Sequence, residues 1–229
     1  MPDRAPRRAR ARLVVIAASC ALAVGGCVGP LAPAPTPVHA LDDMKTDVRS
    51  VDAFSSVSAD GRLNIVMAAG ALPSVEVDAP SNVAALIVTE VSGSDLFISV
   101  AAPGYTSDSP ATVRIAAPKL ESVSLTNRAT GTIEATSQSL SASVSRGSVL
   151  RGIGNVRQLS VTTLGNSDAQ LGDLASETAS ISAAGGAKAT LRVSKQLTGT
   201  ADSGSIITLV VAPTAQSVTV TGGAKVVGP

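Results

Sequence analysis

Six segments of the chain repeat at a nearly constant period, and that period limits the fold more than any other feature. ESVSL from Glu121, LSASV from Leu140, LSVTT from Leu159, ASISA from Ala179, LTGTA from Leu197 and QSVTV from Gln216 align on Val123, Ala142, Val161, Ile181, Gly199 and Val218, at spacings of 19, 19, 20, 18 and 19 residues. A fixed period of this length belongs to stacked units that each rest on the next. Two positions beyond each centre stand Leu125, Val144, Thr163, Ala183, Ala201 and Val220, which are mostly apolar or small. Residues two apart in a strand share a face, so both columns are expected to point inward. The expected fold is all-β: a single-stranded parallel β-solenoid (β-helix) with coils of about 19 residues.

The positions flanking each centre carry a second pattern. Before the centres stand Ser122, Ser141, Ser160, Ser180, Thr198 and Ser217, and after them Ser124, Ser143, Thr162, Ser182, Thr200 and Thr219. All twelve bear hydroxyls and, by alternation, are expected to face solvent as a flat array. That array is the candidate binding face. Solvent-facing strand positions favour Ser and Thr for structural reasons as well. Four or five residues past each centre come Asn127, Gly147, Gly165, Gly185, Gly204 and Gly222, residue types that accept positive φ at a turn. Upstream, GRLNIVM, SVEVD, DLFISV and TVRIAAP alternate at period two and read as further strands. Phe54, Phe97 and Tyr105 are the only aromatics, which suits a thin interior. Residues 41–60 are expected to cap the first coil, and the last coil, SVTVTGGAKVVGP, to be left largely uncovered, its strand edges open to self-association.

The amino terminus has a different logic. Arg4, Arg7, Arg8, Arg10 and Arg12 precede an apolar run from Leu13 to Val24, the layout of a secretory signal. Fewer than 20 apolar residues are present, and no basic flank follows them, which argues against a retained span. Val24-Gly25-Gly26-Cys27 resembles the lipobox of bacterial lipoproteins, which implies that Cys27 is the lipidated first residue of the mature chain. Cleavage after Ala40 would instead discard Cys27, Cys20 has a poorer context, and Arg7-Arg8 leaves a twin-arginine route open. Prolines 30, 33, 35 and 37 make an extended stand-off. The expected layout is a lipoprotein signal peptide over 1–26, a lipidated cysteine and Pro-rich tether over 27–40, and a β-solenoid head over 41–229.

Composition narrows the chemistry. Without the five signal arginines and Asp3, the 18 basic and 17 acidic residues become 13 and 16, a net charge of −3 that disfavours nucleic acid. His39 is the only histidine, so neither a His-rich metal site nor a Ser-His-Asp triad can be assembled. No metal, cofactor or catalytic residue is expected. A β-helical polysaccharide-processing enzyme would need carboxylates converging from adjacent coils, but one period beyond Glu134, Asp168 and Asp173 stand Ile153, Ala187 and Arg192. Of the aromatics, only Tyr105 in APGYTSDSP is expected to be available for stacking on a glycan.

From about Val51 to Val227 the chain resembles the GIN-type head domain family, adhesin-like heads of exported bacterial proteins. The resemblance rests on VDAFSSVSADGRLNIVM, on VRIAAPKLESVSLTNRATGTIEA and on the strand and turn units that follow. Turns written NRATG, SRGS, LGNS and AAGGA replace the family's Gly-Ser-Gly, and TLVVAPT replaces its Tyr and Gly before Pro. The resemblance implies a β-solenoid with no assigned catalysis. The expected function is a lipid-anchored module on the extracytoplasmic face of the cell membrane, binding a cell-wall glycan or envelope protein. The alternatives are the enzyme above and a structural envelope protein that homo-oligomerises through its solenoid ends.

Overall fold

The computed structural model describes residues 35–229. Cys27, Cys20 and the residues assigned to the signal lie outside the described residues. Alternation of apolar and polar residues sets the local structure. In chain order the elements are β1 (Val38–His39), β2 (Met44–Arg49), β3 (Ser56–Asp60), β4 (Leu63–Ala69), β5 (Ser74–Pro80), α1 (Ser81–Ala84), β6 (Ile87–Ser92), β7 (Asp95–Val100), β8 (Tyr105–Thr106) and β9 (Ala111–Ala117). There follow β10 (Ser122–Thr126), β11 (Thr130–Ser145), β12 (Val149–Leu164), β13 (Asp168–Ala184), β14 (Lys188–Ala201), β15 (Ile206–Leu209), β16 (Ala215–Val220) and β17 (Lys225–Val227).

Strands β11 to β14 are long because each runs through a bend and serves both faces of the solenoid. In β11, Gly131, Ile133 and Ala135 are buried on one half and Leu140, Ala142 and Val144 on the other, with Gln138 and Ser139 exposed between them. The two halves meet across a thin core: a Cβ added to Gly131 would lie 2.7 Å from Leu125 Cδ1. A solenoid of this width has no room for stacked aromatic rings, which explains their scarcity.

The 19-residue period appears directly as parallel register. Val123 pairs with Ala142, Ala142 with Val161, Val161 with Ile181, Ile181 with Gly199 and Gly199 with Val218. Val123, Ala142, Val161 and Ile181 are buried, as are Leu125, Val144, Thr163, Ala183 and Ala201 in the companion column. In the last coil β16 pairs only with β14 and β17 only with β15. There Val220 is 45% and Val227 50% exposed. The predicted turn residues Asn127, Gly147, Gly165, Gly185, Gly204 and Gly222 all have positive φ. Each has a neighbour in the same region, namely Arg128, Arg146, Asn166, Gly186, Ser203 and Gly223, so every turn is a left-handed pair.

The amino-terminal third departs from simple stacking. Strands β3 and β4 form a coil directly beneath β10 and β11, yet β7 and β9 form the coil beneath that one. The chain therefore builds its second rung first, passes below it, and returns above. Residues 41–60 are not a cap as a block, because β3 is a full rung paired on both sides. The cap consists of β2, antiparallel to β5, β6, antiparallel to β7, and the short α1, which buries Val83 and Ala84. Arg49 fastens it: Nη1 donates to Ile87 O at 2.5 Å and Thr89 Oγ1 at 2.9 Å, and Nη2 donates to Ala84 O at 3.0 Å. Val38–His39 pairs with Tyr105–Thr106, and Asn82 Nδ2 donates to His39 O at 2.7 Å. The end of the proline-rich stretch is thus docked on the head.

Candidate functional site

Strand register converts the twelve hydroxyl residues into two continuous ladders. One runs Ser122, Ser141, Ser160, Ser180, Thr198, Ser217, and the other Ser124, Ser143, Thr162, Ser182, Thr200, Thr219, each rung pairing with the next. Neighbouring strands lie about 4.8 Å apart, which fixes the rise per rung. None of the twelve is buried. None of them makes a side-chain hydrogen bond with any described residue, so their donors and acceptors remain available. The ladders continue one rung below the sequence repeat, because Ser122 and Ser124 pair with Ser56 and Ser58. They end on Asp95 and Phe97 of β7. Ser56 and Ser58 had a sequence signal, since SSVSA has the form of the later segments, but they stand outside the period.

Where β11 to β14 bend, a third ladder of Ser139, Gln158, Thr178 and Gln196 comes alongside Ser141, Ser160, Ser180 and Thr198. Between them the buried Leu140, Leu159 and Ala179 form the floor of a groove of about 550 Å³ that runs along the stacking direction. The sequence pattern gave no account of Gln158 and Gln196, because amides two residues before a hydroxyl column read as ordinary surface. Among the described residues, Glu121 is the only ionisable one lining the groove. Its carboxylate is held below the usual range, first by a hydrogen bond from Lys119 and then by that residue's charge. The groove is thus electrically neutral, polar on both walls and apolar at its floor.

On the opposite face a groove of about 410 Å³ is lined by Val66, Thr132, Glu134, Arg151, Ile153 and Asp173, among others. Its acidic residues do not stack into a ladder. Ile153 separates Glu134 from Asp173 in register. The other two pairs depart from the uniform-period expectation for different reasons: a 20-residue coil sets Asp168 opposite Lys188 rather than Ala187, and a register shift in β13 between Leu171 and Ala175 sets Arg192 opposite Ala175 rather than Asp173. Among the described residues no three His, Cys, Asp or Glu side chains converge as a metal site.

Tyr105 is not the free aromatic expected from its loop. Its phenol donates to Arg62 O at 2.6 Å and accepts from Ala111 N–H at 2.8 Å. Burial pushes its pKa up, an effect opposed by the Ala111 hydrogen bond and by Arg62. The residue ties a loop to the solenoid. Phe97, overlooked in the sequence because it alternates with core residues in DLFISV, is 46% exposed.

The model of the family described as "putative auto-transporter adhesin, head GIN domain" matches residues 53–213. The chain belongs to that family. The solved structures most similar to this head GIN domain include a putative adhesin from Bacteroides fragilis, at a TM-score of 0.66 and 16% identity, covering 84% of this chain and all of the other. A putative lipid binding protein from Parabacteroides distasonis superimposes at a TM-score of 0.51 and 12% identity, over 85% of this chain and all of the other. At these identities the likeness is one of fold. The comparison with curated proteins gave no match. The head GIN domain is an adhesin-like module, and no described helix is long and apolar enough to cross a membrane.

Proposed function

We propose that this head GIN domain binds an uncharged glycan along the hydroxyl face and works without catalysis, as the displayed part of a lipoprotein anchored through Cys27. The observation that carries the reading is the groove: a neutral, regular set of hydroxyls and amides above an apolar floor, of which only Thr178 Oγ1 is engaged within the fold, donating to Arg157 O at 3.5 Å. An anionic polymer would require Lys or Arg in the walls, and a cationic one unpaired carboxylates; Glu121 is already engaged by Lys119. Sugar hydroxyls both donate and accept, as Ser, Thr and Gln side chains do. Their apolar ring faces suit the leucine floor.

Calorimetric titration with cellohexaose and chitohexaose, against hyaluronan and polylysine, tests this. Binding of a neutral oligomer is expected, and replacing Gln158 and Gln196 by Ala is expected to weaken it by about 2- to 10-fold per lost hydrogen bond. Binding only to a charged polymer would overturn the reading. The anchor is tested separately: Cys27→Ser is expected to leave an uncleaved precursor, and Cys20→Ser to mature normally. Intact-mass analysis of the membrane fraction would reject the anchor if the Cys27 variant still carried lipid.

A further inference from the structure

We propose that Phe97 is the stacking platform that terminates the hydroxyl face and selects pyranose rings with an apolar side; this rests on the glycan reading above. Placement singles this residue out. In β7, Leu96 and Ile98 are buried at 0% and 1% exposure, so the core accounts for them and does not account for Phe97. Phe97 instead occupies the second hydroxyl ladder, pairing with Ser58, which pairs in turn with Ser124. Every rung that follows in that ladder is Ser or Thr. The exposed phenyl therefore stands at the rung where the hydroxyls of that ladder stop, and the core does not require it there.

The strand holding it is rigid, since β7 is bonded to β3 on one side and to β6 on the other. The ring therefore presents a fixed face at the end of a row of hydrogen-bonding groups. Glu90 lies directly across from Phe97 on β6, and Asp95 is two residues before it on the same side of β7. Carboxylates beside an aromatic face can accept from the hydroxyls of a sugar whose C–H groups rest on the ring. The other aromatics cannot substitute, because Phe54 is 5% exposed and the Tyr105 phenol is committed within the fold. A sugar chain lying along the ladders would thus be held through its hydroxyls over several coils and fixed in position by one ring on Phe97.

The chain contains no tryptophan, so Phe97→Trp introduces a single reporter at the platform. The full-length protein in a non-glycosidic detergent is titrated with cellohexaose and with chitohexaose, following emission and heat together. Emission of the Phe97→Trp protein is expected to move to shorter wavelength and to saturate with the calorimetric isotherm. Phe97→Ala is expected to bind about tenfold more weakly, and Phe97→Trp at least as tightly as the natural protein. If the natural protein and Phe97→Ala bind equally, or if emission stays fixed while heat saturates, the platform is wrong and the glycan reading survives. If the natural protein binds neither oligomer, both are overturned. An emission shift that appears on concentrating the protein without sugar marks a contact between heads and also overturns the platform.

Discussion

At the scale of single residues the molecule is governed by which side of a strand a side chain takes. Val161 and Ile181 are 1% and 2% exposed, while the adjacent Thr162 and Ser182 lie on the outer face. Lysine at Thr162 or Ser182 is expected to change stability by no more than about 0.5 kcal/mol. At Val161 or Ile181 the ammonium would lose its water without gaining a partner, at a cost of several kcal/mol, comparable with the roughly 5–15 kcal/mol that holds a domain folded. Denaturant unfolding of the four variants checks this; equal damage from Thr162→Lys and Val161→Lys would show that the faces are misassigned. Buried hydroxyls are the exception to the sorting. Thr163 and Ser148 lie fully inside, and among the described residues their Oγ atoms have no hydrogen-bond partner, whereas Ser205 Oγ donates to Ala183 O at 3.0 Å.

At the scale of the coil the constraint is how closely successive backbones approach. Gly154 has φ +117°, and a Cβ there would stand 2.1 Å from Ala135 O in the coil below. Nothing flexible can yield, since the obstructing atom is a backbone carbonyl. Gly204 has a comparable handedness, φ +72°, but a Cβ would meet no atom within 4 Å. Gly204→Ala is therefore expected to cost only about the 1–2 kcal/mol of a left-handed alanine. Gly154→Ala is expected to cost more than about 4 kcal/mol. Thermal and denaturant unfolding of the pair separates conformational strain from collision. Similar losses would mean that the coils are looser at Gly154 than the register indicates.

At the scale of the whole molecule, surface charge pairs join coils and make stability depend on pH. Glu177 is held below the usual carboxylate range, first by a hydrogen bond from Lys195 at 2.7 Å and then by the Lys195 and Arg157 charges. Asp202 is lowered chiefly by the Ser203 N–H and by Thr221 of the next coil. With Glu121, these groups have folded pKa values below their unfolded ones. Their contribution is thus complete above the ordinary carboxylate value of about 4 and disappears as pH falls through the lower folded values. The melting temperature is expected to decline between about pH 5 and pH 3, and Glu177→Gln to reduce the slope. All three lie at the surface, so the effect should also shrink in high salt. A profile that is flat from pH 5 to pH 3 would show that these pairs do not contribute.

The sequence by itself determined the inner columns, the two hydroxyl ladders and the left-handed turn positions. In a solenoid each residue contacts its counterpart one period away, so Val123, Ala142, Val161 and Ile181 announce their own stacking. The tertiary structure decided what has no period. Ser56 meets Ser122, and Phe97 meets Ser58, only because the chain passes beneath its first coil before climbing, a choice made by antiparallel pairing of β2 with β5 and β6 with β7 and by the Arg49 bonds across the cap. The ladder of Ser139, Gln158, Thr178 and Gln196 keeps the period, but only the bend in β11 to β14 sets it beside the serines and turns a flat array into a groove. Local alternation specifies which way a side chain faces; only long-range packing specifies which distant side chains share that face.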